Sequence, residues 1–178
     1  MPAAASAGVE KIIGFLFLVP SSMLSAVSAL GAQNIGAQKP ERARKTLLYA
    51  IFIAAGFGGT VAVIMQFLSG RAVSLFTDSA AVIRLGGGYL RGYAWDCLFA
   101  GIHFAFSGYF CACGKSGISF MHNMIAILLV RIPGAYFMSS MFPGTLYPMG
   151  LATAAGSLLS AIICAAAFII LIKKEKKA

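Results

Sequence analysis

The sequence predicts an all-α bundle of about five membrane-spanning helices, and three observations carry that prediction. The chain of 178 residues is 60% hydrophobic and 11% charged, with a mean hydropathy of +0.87, which is more apolar than a water-covered surface tolerates. Its apolar residues gather into runs near or above the roughly 20 residues that one bilayer crossing needs. Its basic residues gather at the ends of those runs, where lysine and arginine meet lipid headgroups. The same placement argues against nucleic acid as the partner of a formal charge of +9.

Hydropathy divides one membrane domain, residues 1–178, into spans at about 12–32, 47–69, 89–112, 118–141 and 146–172. The first opens on Glu10 and Lys11 after an uncharged start; the run is too long for a cleavable signal peptide, so the span is its own insertion signal. Pro20 is tolerated there because neighbouring helices satisfy the backbone it frees. The span closes on small residues (Ser25, Ala26, Ser28, Ala29, Gly31, Ala32) that let another backbone come close, then on Gln33 and Asn34, which bond at a helix end. Lys39, Glu41, Arg42, Arg44 and Lys45 follow at headgroup level.

The second span ends near Arg71. Before the third lies Gly86-Gly87-Gly88, which lacks the strand, lysine and downstream acid of a nucleotide loop; it permits close packing or a bend. The fourth span carries Arg131 and Pro133, with His122 and Asn123 placed at its interfacial start. The fifth runs into Lys173-Lys174-Glu175-Lys176-Lys177. Lys39, Arg42, Arg44, Lys45, Lys115 and the terminal lysines fall on one side of this topology. Arg71, Asp78, Arg84, Arg91 and the uncharged Phe142-Pro143-Gly144-Thr145 turn fall on the other. By the lysine and arginine count the first side is cytoplasmic, with the C-terminus, and the N-terminus is outside. Cys97, Cys111, Cys113 and Cys164 read as small buried hydrophobes, with no disulfide framework. The two-residue spacing of Cys111 and Cys113 splits their thiols between helix faces, so no metal site is expected with His103 or His122.

The chemistry centres on the third span. Asp96 is the acidic residue inside an apolar run, and a carboxylate at mid-membrane costs roughly 2.5–3.5 kcal/mol on insertion scales, so it must face protein or a water-filled cavity. At helical spacing Tyr89, Tyr93, Asp96, Ala100, His103 and Ser107 form one stripe, opposed by Leu90, Leu98, Ile102 and Phe106. The stripe is a candidate cavity lining where a carboxylate holds H⁺, Na⁺ or an organic cation; the alternative is an ion pair within the bundle. Arg131 needs a partner for the same reason. At about 1.5 Å per residue it reaches within two turns of the depth of Asp96 in the next helix, so it pairs with Asp96 or with carbonyls freed near Pro133. His103, with an unperturbed pKa near neutrality, either relays protons or is a buried structural histidine. Met65, Gln66, Trp95 and the phenylalanines of the first and third spans are core, lipid contacts or a greasy site for lipophilic cations.

The string AQNIGAQKPERARK at residues 32–45 resembles the signature after the second helix of each lobe in the multidrug and toxic compound extrusion (MATE) family of antiporters. Its approach, Glu10-Lys11-Ile12-Ile13-Gly14-Phe15 through Leu18-Val19-Pro20-Ser21, is similar to that family's eighth helix. Leu75-Phe76-Thr77-Asp78, Tyr89-Leu90-Arg91, Gly108-Tyr109-Phe110 through Gly114-Lys115-Ser116, and Arg131-Ile132-Pro133 follow in the order of helices nine to eleven. The resemblance implies a C-terminal-lobe fragment, helices eight to twelve of twelve, and marks Gln33, Asn34, Gly36 and Ala37 as the family loop motif. It also implies an acidic coupling residue in the third span; the family register falls nearer Ala100, one turn beyond Asp96.

The function implied is one part of a non-enzymatic efflux transporter in the cell membrane of a bacterium. It exports amphipathic organic cations against H⁺ or Na⁺, with no cofactor, and works with the missing N-terminal lobe or a partner chain in the lipid bilayer. The alternatives are a lipid-linked sugar flippase of the same superfamily and a non-transporting membrane subunit. The flippase needs cavity cations to hold pyrophosphate, and the spans offer Arg131 alone.

Overall fold

The structure, a computed structural model, describes the backbone of residues 3–175 and the side chains of residues 8–174. Lys176 and Lys177 of the predicted basic tail lie outside the described residues. The described chain is helical throughout, without strands, and forms five rods joined by short turns. Four are long and apolar enough to cross a membrane: Gly8–Gly36, Pro40–Ser74, Ser116–Met141 and Tyr147–Lys174.

Helices α1 (Ala3–Leu16) and α2 (Leu18–Gly36) make the first rod. Phe17 separates them without breaking the ladder: its amide donates to the Ile13 carbonyl at 3.0 Å and its carbonyl accepts from Ser21 at 3.0 Å. The irregularity follows from Pro20, which has no N–H for the Leu16 carbonyl and crowds it with its ring. Helix α2 ends in a Schellman turn. Gln38 takes the left-handed conformation (φ 59°), Lys39 donates to the Asn34 carbonyl at 2.8 Å, and Gln38 to Ile35 at 3.0 Å, so the last carbonyls are satisfied.

Helix α3 (Pro40–Ser74) then starts at once, with proline in its first turn where no amide partner is needed. Glu41 in that turn and Arg71 in the last complement the helix dipole. At 35 residues it is about 50 Å long, more than a hydrocarbon core is thick.

Helix α4 (Ala80–Ala112) starts well ahead of the predicted span at residue 89 and runs through Gly86-Gly87-Gly88 without interruption. Packing, not a bend, is what those glycines serve. A Cβ on Gly86 would meet Val9 at 3.1 Å, and one on Gly87 would meet the Gly70 backbone at 3.1 Å. The helix ends in a second Schellman turn, with Gly114 at φ 70° and Lys115 donating to the Phe110 carbonyl at 2.8 Å.

The fourth rod is α5 (Ser116–Ala126), a π turn at Ile127–Arg131, and α6 (Ile132–Met141). The wide turn sits directly before Pro133, which cannot donate to Leu129, and it closes by Ile132 donating back to Ile127. Helix α7 (Tyr147–Glu175) completes the bundle.

Helix α4 is the axis: α2, α3 and α7 pack along it, while the π turn and α6 lie on α7. Backbones touch where side chains are missing. A Cβ on Gly108 would strike the Leu24 carbonyl at 2.5 Å, and one on Gly101 the Ala54 methyl at 2.8 Å; Gly92 of α4 faces Gly150 of α7, each against the other helix's main chain. Of the predicted small residues on α2, Gly31 and Ser28 face this contact, whereas Ser25, Ala26, Ala29 and Ala32 are exposed. Leu90 and Phe106, placed away from the polar stripe, are nevertheless buried, because α4 is covered on several sides. Phe106 and Tyr109 pack on Phe168 of α7, with ring centroids 5.6 and 5.3 Å apart.

Candidate functional site

The predicted stripe on α4 turns inward, and its polar members gather side chains from α5, the π turn and α7. Asp96 is fully buried. Arg131, at the end of the π turn, points its Nη2 at Asp96 Oδ1, 3.4 Å away, and donates a 2.6 Å hydrogen bond to Ser157 Oγ of α7. The stem of Arg131 crosses α7 at Gly156, where a Cβ would strike its Cγ at 2.5 Å. Glycine thus makes the passage through which the guanidinium reaches α4. The π turn helps too, since its extra residue resets which side of the rod faces α7 before Pro133.

Tyr93 stands beside the Asp96 carboxylate, and its ring packs 5.5 Å from that of Tyr89 and 5.8 Å from Phe17. Both tyrosines are partly exposed, whereas Asp96 lies fully buried behind them. Asp96 Oδ2 and Arg131 Nε are buried without a hydrogen-bond partner. An ion pair in an apolar bundle that leaves donor and acceptor capacity unused can take up a cation or a polar substrate group.

Two turns along α4, His103 is buried, and its Nε2 lies 3.4 Å from the same Ser157 Oγ. Beyond it Ser107 Oγ lies 2.9 Å from His122 Nε2. His122 corrects the sequence expectation. It is 1% exposed, not interfacial, because α5 turns Ser119, His122 and Ala126 towards α4 and α7. Their spacing of three and four residues was the available signal. Asn123 does remain exposed. Ser119 donates to the Ser107 carbonyl at 3.1 Å, and Ser160 to the His122 carbonyl at 3.4 Å.

The other sequence-derived residues lie apart from this centre. Gln33, Asn34, Gly36 and Ala37 build the turn after α2: the Gln33 and Asn34 carbonyls accept from Ala37 and Lys39, and the Asn34 amide donates to Leu30 at 2.7 Å. That motif therefore shapes a helix end. Gln66 braces α3 against α4 by donating to the Arg91 carbonyl at 3.0 Å. Among the described residues no group of three or more histidines, cysteines or carboxylates could hold a metal ion. A cavity of about 590 Å³ at the end opposite the Schellman turns is edged by Arg84, Arg91, Thr145 and Tyr147, away from Asp96.

The geometry of a buried, incompletely satisfied acid–guanidinium pair inside an apolar helix bundle is accompanied by one match to known proteins. A family model described as MatE matches residues 2–137. No curated protein and no solved structure matches the chain.

Proposed function

The chain belongs to the MatE family and is a multi-pass membrane protein of that transporter superfamily, and from that premise we propose that it forms part of a secondary active exporter of amphipathic organic cations, driven by H⁺ or Na⁺ entering in exchange. The observation that carries the reading is the placement of Asp96: a fully buried carboxylate on the central helix, with one oxygen near Arg131 and the other unpartnered. A coupling ion or a cationic substrate bound at Oδ2 competes with Arg131 for the same carboxylate. Binding of one therefore changes how α4 is held to the fourth rod and to α7. The apolar and aromatic surroundings, Phe17, Tyr89 and Tyr93, suit delocalised cations over small hydrated ones. The five rods supply one wall of the transport cavity, and the partner lobe supplies the other. The spans run about 12–32, 47–69, 89–112, 118–141 and 146–172, with the two Schellman turns and the C-terminus in the cytoplasm.

A lipid-linked sugar flippase is disfavoured, because Arg131 is turned to Asp96 and Ser157 and is not free to hold pyrophosphate. A non-transporting subunit would need Asp96 only as the structural partner of Arg131. Expression of the natural gene with Asp96→Asn distinguishes these readings. Ethidium efflux is expected to stop while the protein reaches the membrane in normal amount, and undiminished efflux would remove Asp96 from the mechanism.

A further inference from the structure

We propose that His103 and His122 form a proton route connecting the Asp96 centre with the end of the bundle that carries the Schellman turns. The proposal rests on the coupled-export reading of Asp96 and commits its coupling ion to the proton. Polar atoms follow one another along the inner face of α4 with few gaps. From Asp96 the line passes to the neighbouring Ser157 hydroxyl, with Arg131 Nη2 held to both, then over 3.4 Å to His103 Nε2. The two imidazoles meet edge to face with centroids 5.5 Å apart, and a water entering the cavity that both rings line would bridge them. From His122 Nε2 the line continues over 2.9 Å to Ser107 Oγ, and Ser119 lies between the Ser107 carbonyl and Cys111 Sγ.

A second observation is independent of these bonds. A cavity of about 210 Å³ is lined by both imidazoles and by Ser107, Cys111, Ser119 and Asn123, and Asn123 is exposed. A third concerns the rings themselves. Each uses Nε2 on a hydroxyl while its Nδ1 is buried without a partner. Buried polar atoms are almost always paired, so two orphaned ring nitrogens side by side call for a role, and a histidine that passes protons needs one nitrogen held and the other open.

The charged groups facing the pair are Arg131 from the π turn and Asp96 on α4 itself. Helix α7 presents the Ser157 and Ser160 hydroxyls, α2 presents Leu24, and Cys111 lies farther along α4. In one passage the Ser107 hydroxyl gives its proton to His122 Nε2 and takes another from the cavity, and His122 releases a proton from Nδ1 to the bridging water. The water gives one of its own to His103. His103 then releases one through the Ser157 hydroxyl towards the Asp96 carboxylate, where the new O–H bond forms. Every step makes one bond to hydrogen and breaks one, and His122, the water, His103 and Ser157 end with the protons they began with.

The chain contains two histidines, so the chain labelled with ¹⁵N-histidine in lipid nanodiscs, with any partner lobe left unlabelled, gives two resolvable sets of ring signals. The measurement is the rate at which the His103 ring N–H exchanges with water. His122→Gln is expected to slow that exchange at least tenfold, and an unchanged rate in a folded His122→Gln protein overturns the proposal. Should that variant fail to fold, Ser107→Ala decides, since it removes only the hydroxyl holding His122: slowed exchange supports the route and an unchanged rate overturns it. The readout needs no transport. Slowed exchange with normal efflux by Asp96→Asn keeps the route and removes the export reading; the reverse pair of results does the opposite.

Discussion

Helix α4 and the rod α5–π–α6 have similar lengths and opposite characters. The first carries Asp96, His103, several tyrosines and a series of glycines, and is buried along most of its length. The second is apolar enough to cross a membrane by composition, yet Leu128, Leu129, Tyr136 and Phe137 are more than half exposed, and among its described residues only His122 and Ala126 are buried. In a membrane, apolarity marks the surface that lipid sees, while polar chemistry is sheltered where other helices surround it. Helix α4 is therefore missing from the four rods picked out by length and apolarity, although it is the one the others pack around.

The largest expected break in this contrast comes from bulk at the axis. Gly92→Val drives a side chain into the α7 backbone at Tyr147 and Leu151 and is expected to destabilise the bundle by more than about 3 kcal/mol. Gly117→Ala, in the exposed first turn of α5 with nothing near its Cβ position, should change stability by less than about 0.5 kcal/mol. Titration of the purified protein with SDS, followed by circular dichroism, measures both. Equal effects would erase the distinction between axis and periphery.

Next comes the link between the two regions. Arg131→Met leaves Asp96 buried without its cation and should cost about 3 kcal/mol. Adding Asp96→Asn to it should recover most of that loss, and a double mutant no better than the single would show that the two side chains are not energetically coupled.

The smallest effect concerns how α5 is attached. Its preceding turn has Gly114 in the left-handed conformation, whereas the matching turn after α2 uses Gln38. Gly114→Gln should cost about 1 kcal/mol and Gln38→Gly should gain about as much, because the left-handed region crowds a Cβ. Thermal melts of the two variants in micelles should shift in opposite directions.

Much of the architecture was legible in the sequence, since long apolar runs between charged ends dictate helices whatever surrounds them. Asp96 and Arg131 were legible for the same reason: each is too costly in its run to be left alone, and depth counting placed them near one another. What escaped depended on rotation. Whether His122 faces lipid headgroups or α4 is set by the turn at Gly114 and by packing on α7, and the hydropathy of α5 does not encode it. The π turn escaped because Pro133 announces a disturbance without stating its form. Helix α4 also begins at Ala80, ahead of the span expected from residue 89, and its three glycines lie inside it where they pack against Val9, Val73, Gly70 and Tyr147.

The way the fourth rod is mounted has a mechanical meaning. Helices α2, α3, α4 and α7 interlock main chain against main chain, as a block with little play. The rod α5–π–α6 rests on α7 along its length and reaches α4 only through α5 and the Arg131 side chain. It is a flap on a rigid frame, and its polar fastenings to that frame are Arg131, His122 and Ser119. Two of these can carry positive charge, so any event that alters charge at Asp96 or His103 also loosens or tightens the fastening of the flap.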